Sequence, residues 1–225
     1  MLLKIKYLIY LILFLPNIVT SQINISFTAK SGDSNLLLNE NNLILNDTIT
    51  ISVIKFYISK VNFLKDSIVT FKDDKLGYLI DLSQEKTKSI NFTHNEDVEF
   101  NRINFQLGID SSTHMEGVKG DDLDPTNGMY WTWKSGYINF KMEGFSLNCP
   151  ARNNYFQFHI GGYQYPFNST QEIDLSIKKD SAVNIVLDIE TIFKEINLTE
   201  TYEIMSPSQS SVRIANLIKS SFYIK

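Results

Sequence analysis

The residues with the chemistry to do more than pack are concentrated between positions 105 and 144, FQLGIDSSTHMEGVKGDDLDPTNGMYWTWKSGYINFKMEG. A strand pattern ends at Leu107-Gly108 and gives way to a long polar loop carrying His114, Gly117 and Gly120. Asp121, Asp122, Asp124 and Asn127 follow, a dense set of the hard oxygen donors that calcium prefers. Their spacing is not that of an EF-hand, and Asp-Pro followed by Asn-Gly is also ordinary turn chemistry. Trp131 and Trp133, the two tryptophans of the chain, stand either side of Thr132, so an extended backbone puts both indoles on one face. Outside this segment His159 sits in an alternating run, FQFHI, just ahead of Gly161-Gly162. A strand histidine reads either as a satisfied core group or as a ligand, and a loop histidine such as His114 either as a solvated ring or as a ligand. Tryptophans beside a turn also plug the ends of paired sheets, and Tyr130, Tyr137 and Tyr163 would complete such an aromatic cluster. His94 has no motif around it and reads as a surface residue.

Hydrolytic and phosphoryl-transfer chemistry finds no support. There is no G-x-S-x-G, no H-E-x-x-H and no P-loop, and three histidines in total are too few for a His-rich hydrolytic metal site. Cys149 is the single cysteine, so no internal disulfide can form, and its Asn-Cys-Pro setting reads as an inert, half-buried thiol.

The string DLDPTNGMYWTWKSGYINFKMEG, with FQLGID upstream and FQFHIGGY downstream, resembles the signature of the MbnP-like family. FTAKSG at Phe27, FYISKVNF at Phe56 and MSPSQS at Met205 are fainter echoes, so the resemblance spans the body of the chain and is strongest over residues 103–163. The family is named for a protein associated with methanobactin, a copper-chelating peptide. The resemblance implies an exported β-sandwich that binds one copper ion in a low-coordinate site. In related proteins histidines combine there with a tryptophan oxidised to kynurenine by a partner di-haem enzyme of the MauG type. Carried onto this chain, it implies His159 and His114 as imidazole ligands, with either Trp131 or Trp133 as the modified residue. The cysteines that some members pair are missing here, so disulfide bracing does not carry over. Imidazole suits copper in either oxidation state, which agrees with that set.

The elements that must position these residues are mostly strands. Alternation and aromatic or β-branched content mark strands over residues 23–28, 48–53, 55–61, 77–82, 102–107, 137–142, 155–160, 172–177 and 183–189. They predict an all-β fold, an antiparallel β-sandwich or jelly-roll-like barrel. Residues 191–196 and 210–222 predict short C-terminal helical segments, the second capped by Ser210 or Ser211. At the other end, Lys4 and Lys6 precede an apolar run, YLIYLILFL, then Pro16 and small residues. That order predicts a signal peptide over residues 1–21 and one mature domain over 22–225, periplasmic or secreted, with no membrane attachment after cleavage. The chain carries a net charge of −4, and losing Lys4 and Lys6 makes the body more acidic still, which argues against nucleic acid as a partner. Five N-x-S/T triplets, at Asn24, Asn46, Asn91, Asn168 and Asn197, are what an Asn- and Ser-rich chain produces by chance. The expected function is non-catalytic copper acquisition or handling. The alternative is an interaction module whose aromatic cluster binds a carbohydrate or protein.

Overall fold

The structure, a computed structural model, describes residues 21–94, 98–132, 136–177 and 182–225. The expected leader lies outside the described residues except for Ser21, which opens the first strand, and Trp133 and the side chain of His94 lie outside them too. In chain order the strands are β1 (Ser21–Ser31), β2 (Ser34–Asn35), β3 (Asn41–Ile44), β4 (Asp47–Lys65), β5 (Ile68–Lys72), β6 (Tyr78–Asp81), β7 (Ser89–His94) and β8 (Arg102–Leu107). After them come β9 (Tyr130–Trp131), β10 (Gly136–Ser146), β11 (Tyr155–Gly161), β12 (Gln171–Ser176), β13 (Ala182–Asp188), β14 (Glu203–Ile204) and β15 (Phe222–Ile224). Among the described residues three α-helices interrupt them: α1 (Ser111–Met115), α2 (Ile189–Phe193) and α3 (Gln209–Ser220). Among the described residues no helix is long and apolar enough to cross a membrane.

Two curled sheets face each other. The smaller runs β15-β13-β1-β2, with β7 also on β1, and the larger follows the path β12-β8-β4-β10-β11-β14, with β3, β5 and β6 also on β4. The long β4 is the spine. Its buried positions shift from Ile49 and Ile51 to Ile54, Phe56 and Ile58, and back to Val61 and Phe63. Each change of parity accompanies a break in pairing register, opposite Glu143/Gly144 and between Ser59 and Asn62, where Lys60 takes a positive φ of 51°. An extra residue at each bulge resets the period-two pattern without ending the strand. The predicted strands 48–53 and 55–61 are therefore one element: Ile54 between them pairs regularly with Met142, and the bulge that changes the parity lies at Ser52, inside the first.

The all-β class and the short C-terminal helix stand as the sequence predicts, with two differences. β1 pairs with β13 in parallel, and β11 with β14 in parallel, so the sheets are mixed. Parallel neighbours need a long connection, and most of the chain, including the spine of the second sheet, lies between β1 and β13. The N-cap of α3 is Ser208, whose hydroxyl accepts the Ser211 N–H. Ser211 is instead buried and donates to the Gly161 carbonyl at 3.0 Å.

Between the sheets the core centres on Phe56. Its ring meets Phe27 and Phe222 edge-on, each at 5.6 Å between centroids, and stacks on Phe140 at 6.1 Å. Ile214, Ala215 and Ile218 of α3 close the same core. Cys149 is buried in it, with its Sγ 3.3 Å from the Tyr155 carbonyl. A lone buried thiol crosslinks nothing, so the melting temperature should be the same with and without a thiol reductant. A substantially lower value for the reduced monomer would show that account to be wrong.

One polar residue sits where the strands of the larger sheet change partners. β4 pairs with β10 through residues 49–56 and with β8 through residues 58–64, which brings the exit of β8 against the start of β10. Asn139 fills that junction and is 1% exposed. Its side-chain carbonyl accepts the Ile109 N–H at 3.1 Å, and its amide donates to the Gly162 carbonyl at 3.3 Å and the Ser169 hydroxyl at 3.0 Å. Gly108 is required beside it, because φ there is +96° and a Cβ would come within 2.4 Å of Asn139 Cγ. Asn139→Ala leaves the Ile109 N–H buried without an acceptor, and should cost about 2–3 kcal/mol. The check is a lower urea midpoint at unchanged m-value.

Candidate functional site

The loop after β8 packs on the outer face of the larger sheet. Tyr57 and Leu79 alternate with core residues of β4 and β6, so they point away from the main core. Ile109, Leu123, Met129 and Trp131 cover them, with Tyr137 and Ile138 from β10, and make a second apolar cluster. Polar side chains of the sheet hold the loop by its backbone. Tyr57 donates to the Asp122 carbonyl at 3.1 Å, Lys55 to that of Asn127 at 3.3 Å and Lys141 to that of Gly128 at 3.4 Å. Lys55 is itself fixed by Asp81 at 3.1 Å. The acidic stretch is occupied with its own turns. Asp124 accepts from the Thr126 backbone and hydroxyl, Asp122 pairs with Lys75, and the Asn127 amide donates to the carbonyls of Asp121 and Asp122. Turn chemistry accounts for these residues without calcium.

His114 lies in what the sequence shows as loop but the structure forms as α1. The N-cap is Asp110, which accepts the Thr113 N–H at 2.9 Å, the chemistry expected of Asp at that position. Only 4% of His114 is exposed. Its ring stacks on Tyr163 at 4.3 Å and meets the edge of Tyr137 at 5.2 Å. Nδ1 accepts the Tyr137 backbone N–H at 3.2 Å, which leaves the proton of the neutral ring on Nε2. Nε2 is buried with no hydrogen-bond partner among the described residues. Burial pushes the imidazole down to about 4, against the opposing pull of Asp110 and of the polar groups of Asn139 and Ile109.

His159, on β11, faces the same side of the sheet. Its Nε2 is 2.6 Å from Glu143 Oε1 on β10. Glu143 also accepts the Tyr155 hydroxyl at 2.6 Å and pairs with Lys141 at 3.1 Å. Burial opposes ionisation of Glu143, but hydrogen bonds from His159, Tyr155 and Lys141 prevail and bring it to about 2. Burial and that same carboxylate raise the Tyr155 hydroxyl well above the usual range.

The structure does not bring the two imidazoles to one point. His159 stands opposite Lys141, while His114 is bonded to the backbone of Tyr137, four residues earlier on β10. That is roughly 13 Å of strand, and His159 is turned further away, toward Glu143. The convergence of His114 and His159 expected from the sequence is thus replaced by two separate anchorages on one packed strand. Trp131 packs against the strands that carry both anchorages. It pairs with Gly136, next to the residue that holds His114. Its ring covers Gly161, two residues beyond His159, where a Cβ would come within 2.6 Å of Trp131 Cζ3. Trp133 lies outside the described residues. Among the described residues no three His, Cys, Asp or Glu side chains gather into a metal cage. Beyond Trp131 opens a cleft of about 280 Å³ lined by Gly162, Tyr163, Tyr165, Phe167 and Pro207. Sequence reasoning missed Glu143 and Asn139. Alternation puts Glu143 on the same face as Lys141, but nothing short of the β10–β11 register places it beside His159.

A histidine held neutral by burial makes stability depend on pH. The native pKa of His114 is lowered, so between about 6.5 and 4 the unfolded chain binds the proton that the native chain refuses. Stability from this group is full above pH 6.5 and is lost as the pH falls toward 4, on the order of 3 kcal/mol in all. Among the described residues, Asp110, Tyr137 and Tyr163 are ionisable groups that face it. Urea midpoints measured from pH 7 to pH 4 should fall less steeply in His114→Gln than in the wild type. Parallel profiles would rule out His114 as the source.

The MbnP family model matches residues 20–206. Among solved structures the chain is similar to MbnP from Methylosinus trichosporium, with 11% identity, a TM-score of 0.55 and 80% of each chain covered, a likeness of fold. No curated protein sequence matches. With the family match running from the first strand to the segment just before α3, and the same fold in a solved MbnP, the chain belongs to the MbnP family.

Proposed function

We propose that this protein is an exported, non-catalytic copper-handling protein that binds one copper ion as cargo on the outer face of the larger sheet. The observation that carries this is the burial of Trp131 against Gly161 of the His159 strand and opposite Gly136, beside the residue that bonds His114, in a chain of the MbnP family. The donor set is right for copper. Both imidazoles are held in fixed orientation. His114 Nε2, which carries the ring proton while Nδ1 accepts the Tyr137 N–H, has no hydrogen-bond partner among the described residues. Binding a metal through it requires the ring to give up the Tyr137 bond and shift that proton to Nδ1. His159 is the principal ligand, because a strand and a carboxylate fix it. His114 reaches the same ion only if α1 and its loop move toward β11. Oxidation of Trp131 or Trp133 to kynurenine by a di-haem partner of the MauG type would free an aromatic amine near His159 as a further nitrogen donor. Export by the leader at residues 1–21 puts the protein where such a partner works. Its acidic body has no use for nucleic acid.

Titration with Cu(I) against a competing chelator should give a one-to-one complex, with copper preferred over zinc. His159→Ala should weaken it at least about tenfold, and more than His114→Ala does. Intact mass of protein from its native host reports the modification, since kynurenine has one carbon fewer and one oxygen more than tryptophan. Equal copper affinity in the wild type and His159→Ala would sink the copper assignment. A second function would then stand, favoured by the cleft itself. Tyr165 is 96% exposed at its rim, and exposed aromatic faces beside Trp131 suit a sugar ring or a protein loop.

A further inference from the structure

We infer that Glu143 is a positioning residue that locks His159 as the Nε2–H tautomer, so that Nδ1 is the nitrogen His159 offers to a metal ion. The metal half of this rests on the copper assignment above; the tautomer half does not.

The geometry is a clamp across two strands. Glu143 stands opposite Gln157, which puts Tyr155 and His159 on its two diagonals in β11. Both reach it: Tyr155 donates to Oε2 at 2.6 Å, and His159 Nε2 meets Oε1 at 2.6 Å. Lys141, two residues earlier on the same face of β10, adds a third contact at 3.1 Å to Oε1. An ionised carboxylate only accepts hydrogen bonds, so the proton between Oε1 and Nε2 sits on the imidazole. The pair is nearly enclosed, with side chains 9% and 14% exposed. Turning the ring over would strand the carboxylate without one of its donors. Once Nε2 is committed, the lone pair of the neutral ring lies on Nδ1. A carboxylate behind a ligating histidine fixes its orientation and strengthens it as a donor. Among the described residues no other carboxylate contacts His159, so the role falls to this one residue.

The test begins with metal-free, ¹⁵N-labelled wild-type protein, at a pH chosen so that the His159 ring signals report a single ring proton. Two-bond ¹H–¹⁵N correlations should show His159 protonated on Nε2. Glu143→Gln should show a mixture, because an amide can accept from Nε2–H or donate to Nε2. Tyr155→Phe keeps the carboxylate and should retain the wild-type tautomer. Ag(I), a closed-shell stand-in for Cu(I), should then move the Nδ1 resonance and leave the Nε2 proton in place. Glu143→Gln should bind it about 10–100-fold more weakly. A proton on Nδ1 in the metal-free wild type, silver on Nε2, or a Glu143→Gln spectrum identical to the wild type would each overturn the inference. Should Glu143→Gln fail to fold, the wild-type and Tyr155→Phe spectra decide. Wild-type protein with the expected tautomer that binds neither Ag(I) nor Cu(I) would sink the copper assignment while leaving the positioning role intact.

Discussion

The arrangement of the outer face depends on the hydrogen bonds of Asn139. A spine strand that passes from one partner to another opens a gap where backbone groups lose their ladder, and buried groups left unpaired are costly. Asn139 closes that gap with one acceptor and two donors, binding together the exit of β8, the start of β10 and the turn after β11. Everything chemically interesting hangs from these three points. Ile109 leads into α1 and His114. Tyr137, two residues before Asn139, bonds His114. Gly162 precedes Tyr163, which stacks on the same imidazole. A hydrophobic residue of similar volume would fill the space but leave the loop without a direction.

A sheet with a core on each face has consequences for the histidines. The main core excludes polar groups almost completely, whereas the outer cluster of Tyr57, Tyr137, Trp131 and their neighbours mixes aromatic faces with hydroxyls and backbone amides. Such a layer lets imidazoles be buried while still oriented. His114 is held by one backbone N–H and two aromatic contacts, and His159 by a carboxylate. The two environments have opposite electrostatic character. Burial beside aromatic rings disfavours a positive charge on His114, while His159 lies against the ionised carboxylate of Glu143.

Much of the fold was legible from period-two alternation, because half-buried strands write their geometry directly into side-chain order. The strand at 102–107 lies where the pattern puts it, and the C-terminal helix is displaced only at its cap. Strand direction was not legible, since alternation is the same in parallel and antiparallel neighbours, and β13 joins β1 in parallel. α1 was hidden because five residues are too few to show helical periodicity, though Asp110 carried the capping signal. At the candidate site, His159, His114 and Trp131 could be named from residue types and family motifs. Their relative placement could not, because it turns on register. Lys141 stands opposite His159, and one step of slippage would have turned that ring into the main core.

The two histidine anchorages also differ in stiffness. β11 is held by β10 along its length and touched by α3 through Ser211, so His159 can shift only if the sheet does. α1 is far shorter than the roughly 12–15 residues at which a helix becomes marginally stable alone, so its order is borrowed from contacts to Tyr137, Tyr163 and the Asp110 cap. The loop that follows is tied to the sheet by the burial of Leu123, Met129 and Trp131 in the second apolar cluster, and its backbone by single side-chain bonds to its carbonyls, from Tyr57, Lys55 and Lys141. Each is worth only about 1 kcal/mol net. Any rearrangement that brings the imidazoles closer therefore has to come from the His114 side, and Trp131, wedged against Gly161, is what that movement must pass or carry with it.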